Sequence, residues 1–314
     1  MTRALVIGEA LVDVVHAADG TVTEHPGGSP ANVALGLARL GRTTTLVTWL
    51  GQDPAGDLVR SHLQDSGVQL LAGSDLAERT SSAVAHLDHQ GAATYTFDLD
   101  WQVPDTDLTA DVTAVHVGSI AATLPPGATD VAALVHAARP QATISYDPNT
   151  RPSIMGTPEQ ARVVIEALVG AADIVKVSDE DIAWLHPGQD VVDIAGRWAG
   201  SGPALVVLTR GGQGAIGLTS GGLRIEVPSP NVQVADTVGA GDSYMAGLLD
   251  GLWAAGLLGA GQRAALHSTG AKTVRTAMQH AAQVAAITVS RPGADPPGRD
   301  DLPGAAARTK EGSP

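Results

Sequence analysis

Residues 235–256 read ADTVGAGDSYMAGLLDGLWAAG, and the reading of this stretch decides the fold. An apolar run of helical character starts directly after three small residues, Gly239-Ala240-Gly241, and Asp242 stands at the junction. Glycines let backbone approach a phosphate closely. A helix N-terminus offers unpaired N–H groups and the positive end of its dipole, which favours anions. A carboxylate in the same place repels them. Asp242 as a plain N-cap is the bland explanation, but a cap needs no Gly-Ala-Gly before it. Phosphoryl transfer accounts for both parts. Donors stabilise the charge on a transferring group, while a carboxylate facing the acceptor hydroxyl, on the far side of phosphorus, takes its proton.

Working outward, strands alternate with helices. Leu5–Gly8 reads as a buried strand, 29–41 as a helix with Ser29 as cap and Gly41 as its end, and 43–51 as a strand. A helix closed by Gly67 follows. Later strands fall at AVHVGSI, ATISYD, DIVKVS and ALVVLT, with helices at 128–139, about 158–170 and about 190–200. Two more helices are expected at 242–258 and about 271–289. This alternation predicts an α/β fold, with a mostly parallel sheet covered on both faces. Residues 80–103 break the rhythm as a hairpin, expected to form a small lid sheet with 12–26. One domain over 1–297 and a flexible tail over 298–314 complete the expected organisation.

Composition narrows the function. The chain has 314 residues, 44% apolar and only 3% aromatic, so its core must be built from Ala, Val, Leu and Ile. A net charge of −14 argues against a nucleic-acid partner. The lack of cysteine removes disulfides, thiolate catalysis and cysteine zinc sites, and suits a reducing cytoplasm. Glu9 and Asp13 interrupt the apolar N-terminal run, which is therefore not a signal peptide, and no stretch approaches 18 apolar residues, so no membrane span is expected.

Other motifs carry chemistry with varying force. Gly212–Gly217 matches G-x-G-x-x-G after a strand, but it marks a dinucleotide site only if a helix starts there. The residues that follow it, LTSGGLRIEVPSP, argue for a hairpin instead. In EHPGGSPANVALGLARLG, Asn32 lies in the first turn of an apolar helix, and its amide can both donate to and accept from a sugar hydroxyl. YDPNTRP places Asp147, Asn149 and Arg151 after a strand, where open α/β sheets bind ligands. Ser178-Asp179-Glu180-Asp181 either caps a helix or holds Mg²⁺ through water.

Two signatures, GGSPANVALGLARLG and DTVGAGDSYMAGLL, in this order and at this separation, make the chain resemble the PfkB-type, ribokinase-like carbohydrate kinases over about residues 3–297. The resemblance implies a three-layer α/β sandwich with a β-sheet lid, ATP as donor, Mg²⁺, possible K⁺, and a sugar or related alcohol as acceptor. It implies Asp242 as catalytic base and Gly239, Ala240 and Gly241 as anion hole. Asp13, Gly28, Asn32, Asn149 and Arg151 would bind the sugar; Thr209, Gly211 and Gly214 would bind the nucleotide. Asp181 would assist Mg²⁺ through water, although Ser178-x-x-Asp181 stands where the family has Asn-x-x-Glu. Asp236 would belong to a monovalent-cation loop, with Gly293 in its partner loop. Family members often pair their lids as homodimers. GEALVDVV, DPNTRPSIM and SRPGADPP look most like fructokinases. Kinases of 2-keto-3-deoxygluconate or of nucleosides are the alternatives, as is a non-catalytic sugar-binding regulator on the same scaffold. The acceptor is expected to depend on lid residues such as Phe97 and Trp101.

Overall fold

The computed structural model describes residues 2–17, 19–87 and 93–303. The chain opens with β1 (Arg3–Ile7), leaves for β2 (Leu11–His16) and β3 (Val22–Gly27), and returns through α1 (Ser29–Arg39) to β4 (Thr44–Val47). After α2 (Pro54–Asp65) and the short β5 (Gln69–Leu70) comes a hairpin, β6 (Ser82–Leu87) and β7 (Ala93–Asp98). Its turn, 88–92, lies outside the described residues. Next are β8 (Val112–Gly118), α3 (Gly127–Ala138), β9 (Thr143–Asp147), α4 (Pro158–Ala171) and β10 (Ile174–Ser178). Then follow α5 (Asp179–Leu185), α6 (Val191–Ala199), β11 (Leu205–Thr209) and a second hairpin, β12 (Ala215–Thr219) and β13 (Arg224–Val227). Last are α7 (Ala240–Ala254), α8 (Arg263–His267) and α9 (Ala271–Val289).

Among the described residues the strands form two sheets. The nine-stranded sheet runs β13-β12-β11-β10-β9-β8-β1-β4-β5, and the four-stranded one β3-β2-β6-β7. Pairing in the large sheet is parallel except where β12 meets β11 and β13. The strands are apolar on both faces because helices cover both. Along β1, Ala4 and Val6 join a core with α1, α7 and α9, while Leu5 and Ile7 join the opposite core with α3, α4 and α6. Close helix contact replaces aromatic bulk: a Cβ on Gly247 would lie 2.8 Å from Ala281 Cα. No helix among the described residues is long and apolar enough to cross a membrane.

One sequence reading needs correction. Ser29 does not cap α1: Gly28 is the cap, at φ 105°, and Ser29 is the first helical residue. A Cβ on Gly28 would lie 2.5 Å from the Glu9 carbonyl oxygen, so the chain passes too close to the end of β1 for any larger residue. Asp242 is not a cap either. Gly239 holds that place at φ 73°, and α7 starts two residues before Asp242. The G-x-G-x-x-G stretch runs into β12 and the hairpin expected there, so no helix N-terminus receives a pyrophosphate. Of the expected tail, 304–314 lie outside the described residues; Arg299 donates to the Leu40 carbonyl and to Asp250.

Candidate active site

The strand order turns at β1, whose neighbours are β4 and β8. Ligands of open α/β sheets bind beyond the carboxyl ends of the strands near such a switch point. Glu9 and Ala10 leave β1 there, Ser119 leaves β8, Asn149 and Arg151 leave β9, Asp181 follows β10, and Thr209 ends β11 with the turn to Gly214 after it. The N-termini of α1 and α7 join them. Ser29 Oγ donates to Asp242 Oδ1 at 2.6 Å, and Asn32 Nδ2 donates to Asp242 Oδ2 at 2.9 Å. These bonds bring together residues 213 and 210 positions apart.

Each glycine of the loop has its own reason. Gly239 adopts left-handed backbone, and a Cβ there would lie 2.7 Å from the Ala294 side chain. Gly241 is helical, so conformation does not demand it; a Cβ there would lie 2.9 Å from Lys176 Nζ. Lys176 rises from the buried strand β10 and pairs with Asp147 Oδ2 at 2.7 Å, both side chains almost wholly buried. Burial pushes the Asp147 carboxyl up to about 7; Lys176 pulls it down, and Asp181 and Asp242 push it up again. Burial works against the charge on Lys176, but Asp147, then Asp181 and Asp242, outweigh it and hold the proton more tightly than usual.

A second cluster sits by the lid. Glu9 is buried, and its Oε2 accepts from Ala121 N at 3.0 Å. Burial pushes its carboxyl up to about 7, against Ser119, backbone amides and Arg151. Ser119 (φ 57°) and Asn149 (φ 36°) are non-glycine residues in left-handed backbone at adjacent strand ends, joined by Asn149 Nδ2 donating to Ser119 Oγ at 3.3 Å. Such strain concentrates where a ligand is held. Arg151 Nη1 donates to Asn149 Oδ1 at 2.9 Å and to the Thr150 carbonyl at 2.9 Å. Burial raises the carboxyl of Asp13, while Arg151 and His25 lower it. Trp101, by contrast, is a core residue whose indole donates to the Ala121 carbonyl at 3.0 Å, so it is not a lid contact. Phe97 lies half-buried on β7.

Asp181 Oδ1 accepts from the Thr150 amide and hydroxyl, both at 2.7 Å, and Oδ2 from Ser178 N at 3.1 Å, closing a capping box on α5. Asp236 joins its own loop to the next: Oδ1 accepts from Val238 N and Oδ2 from Gly293 N, at 3.0 and 2.9 Å. These amides, Val238 first, hold its carboxyl below the usual range. Gly211 and Gly214 turn the backbone between β11 and β12 with φ 48° and 85°. Beside that turn, a groove of about 560 Å³ opens between Pro228, Pro230, Gln279, Ala282 and Gln283. Among the described residues, no cluster of three or more His, Cys, Asp or Glu side chains is arranged to ligate a metal directly.

Neither Glu9 nor Lys176 is read as a site residue from the sequence. Each left a signal, a charge inside an otherwise apolar run, VIGEAL and DIVKVS. A glycine loop at a helix start, a buried carboxylate beside it and a groove on the same sheet edge define a small-molecule kinase. Residues 1–301 match the sequence model described as pfkB family carbohydrate kinase, and the chain belongs to that family. It is 36% identical over 261 residues to a fructokinase of Klebsiella pneumoniae, covering 80% of this chain and 85% of that protein. A fructokinase of Xylella fastidiosa solved with bound ATP superposes with a TM-score of 0.79 at 25% identity, covering 94% of each chain. A fructokinase of Vibrio cholerae O395, in fructose, ADP and potassium ion bound form, gives 0.75 at 28% identity, again over 94% of each.

Proposed function

We propose that the protein is an ATP-dependent fructokinase, and that the carrying observation is Asp242 buried at the start of α7 behind the Gly239–Gly241 loop. The sugar lies between the lid sheet and α1, held by Asp13, Asn32, Asn149 and Arg151, with Gly28 leaving it room. Its reacting hydroxyl passes a proton to Asp242 as the oxygen attacks phosphorus. Backbone N–H groups of Gly239 and Gly241 face the phosphoryl group and stabilise its charge, and the Ala240 amide, which donates to the Thr237 carbonyl at 3.3 Å, joins them only when that bond is released. The purine of ATP occupies the groove along α9, and its phosphates pass the Thr209–Gly214 turn toward the loop.

Mg²⁺ screens the nucleotide phosphates when bound. A carboxylate has about four acceptor sites, and Asp181 already uses three. That suits an ion bridged by water, the habit of Mg²⁺, better than direct ligation. The joined loops of Asp236 and Gly293 are the proposed monovalent-cation site. The four-stranded sheet, whose strand β3 is exposed over Val22–His25, is the proposed homodimer contact, and the cytoplasm the proposed location.

An ATP-consumption screen over fructose, ribose, 2-keto-3-deoxygluconate and nucleosides, with Mg²⁺ and K⁺ varied, tests the acceptor. Fructose should give the highest kcat/KM. A sugar acid or nucleoside preferred by about tenfold, or 1.4 kcal/mol, overturns the assignment.

A further inference from the structure

We infer that Lys176 is a positioning residue for phosphoryl transfer: its ammonium, tethered by Asp147, braces the loop at Gly241 and lends it a fixed positive charge. The inference rests on the reading of Gly239–Asp242 as the reaction centre. Three observations carry it. The first is contact, since a Cβ on Gly241 would lie 2.9 Å from Lys176 Nζ, which places the ammonium directly against the loop's last residue. The second is tethering. Nζ sits 2.7 Å from Asp147 Oδ2, and register places the two side by side, because β10 and β9 pair at Ile174↔Ser145 and Val175↔Tyr146. The third is sign. Three carboxylates, Asp147, Asp181 and Asp242, act on Lys176. A phosphoryl group brought into this negative field needs a positive charge close behind its donors.

Stability alone is a weak reason for the pair. Its neighbours along β10, Ile174, Val175 and Val177, are fully buried and apolar. Buried ion pairs can often be exchanged for packed apolar groups with little loss, whereas breaking one side is costly. A lysine retained here, in contact with the phosphoryl-transfer loop, has a role that an apolar pair would not fill. Lys176 does not exchange a proton in the reaction. It stays an ammonium, and its field acts through the loop whose N–H groups meet the phosphoryl oxygens.

The decisive variant removes both charges at once, K176M together with D147N, so that no buried charge is left unpaired. Expected is a melting temperature near wild type, an ATP-dependent melting shift, and KM values for ATP and fructose within about threefold. Against that, kcat should fall about 10²-fold, and affinity for ADP with aluminium fluoride by a similar factor, while affinity for ADP alone holds. A folded double variant within about threefold of wild-type kcat shows the pair to be structural and overturns the inference. Lysine-side-chain NMR of the unmodified protein needs no variant. Nζ of Lys176 should stay protonated to pH 9 and above, and a neutral amine at that pH overturns the inference if the double variant fails to fold. D242N assayed in parallel separates the two levels. If D242N turns over freely, the reaction centre is misassigned and the role of Lys176 falls with it; if only the double variant turns over freely, the centre stands without Lys176.

Discussion

Replacing Asp242 by asparagine tests the mechanism most directly, because the structure separates its two roles. Asp242 ties α7 to α1 by accepting from Ser29 and Asn32. Asparagine keeps the size. Its oxygen can still accept from Ser29, and its NH₂ can donate to Asn32 if that amide turns over. What changes is charge. A hydrogen bond to a charged group contributes about 1.5–3 kcal/mol and a neutral one about 0.5–1.5, so the two bonds together should lose about 2–3 kcal/mol. At about 2–4 °C per kcal/mol for a chain of this size, the variant melts several degrees lower and remains folded. Chemistry should suffer far more. Loss of a general base costs about 10²–10⁴ in rate, roughly 3–5 kcal/mol of barrier. Binding is read without turnover as an ATP-dependent rise in Tm, which should persist. S29A is the control: it removes the 2.6 Å bond and leaves the carboxylate intact, so it should lower Tm with little effect on kcat. If D242N melts as expected, binds ATP and keeps more than about a tenth of wild-type kcat, or if S29A loses as much rate as D242N, Asp242 is a tie between helices and the proposed mechanism is wrong.

Two further outcomes follow from geometry away from the chemistry. Buried Asp250 accepts from Arg42 Nε and Arg299 Nη2 at 2.7 Å and pairs with His280 Nε2 at 2.8 Å, joining α7 to α9 and to the segment after it. Burial would raise its carboxyl, but His280, Arg299 and Arg42 outweigh that and hold it at about 2. A folded value below the unfolded one of about 3.9 gives stability that is fully present above pH 4 and is lost as pH falls toward 2. The size is about 2–3 kcal/mol. Urea unfolding between pH 5 and 2.5 should show this slope in wild type and a flatter one in D250N; equal slopes refute it. At Gly28, alanine meets backbone on two sides, 2.5 Å from Glu9 O and 2.9 Å from Ala10 Cα. It should destabilise by about 2 kcal/mol or more. Gly20→Ala, at φ 87° with nothing within 4 Å, controls for the backbone strain, and similar Tm losses in the two variants would count against the clash.

Much of the fold is local, and that part reads directly from the chain. Helix α9 spans the expected residues 271–289, and β12–β13 is the hairpin that its glycines and proline announced, because periodicity and turn chemistry are short-range properties. The loop Gly239–Gly241 and Asp242 were equally legible, since a glycine run before a helix has few uses. Partners were not. Asn32 has an amide fit for a sugar, and the sequence says so; that the same amide donates to Asp242 depends on two helix N-termini meeting across the sheet edge. Asp181 reads from the sequence as a cap or as a carboxylate on Mg²⁺ through water; that it caps α5 and also accepts from the Thr150 amide and hydroxyl is visible only in the fold. Trp101 looks like a lid residue until its indole is found on the Ala121 carbonyl.

The sequence by itself determined which segments are strands and helices, and which glycine loop opens the helix that carries Asp242, because apolar spacing and glycine placement act within a few residues. Only the tertiary structure decided which charges face each other. Coulomb and desolvation terms depend on distance and burial in space, and neither distance nor burial is written in the spacing of Glu9, Asp147, Lys176 and Asp242 along the chain. Parallel pairing sets Lys176 beside Asp147, and the meeting of β10 with the start of α7 brings its ammonium against Gly241.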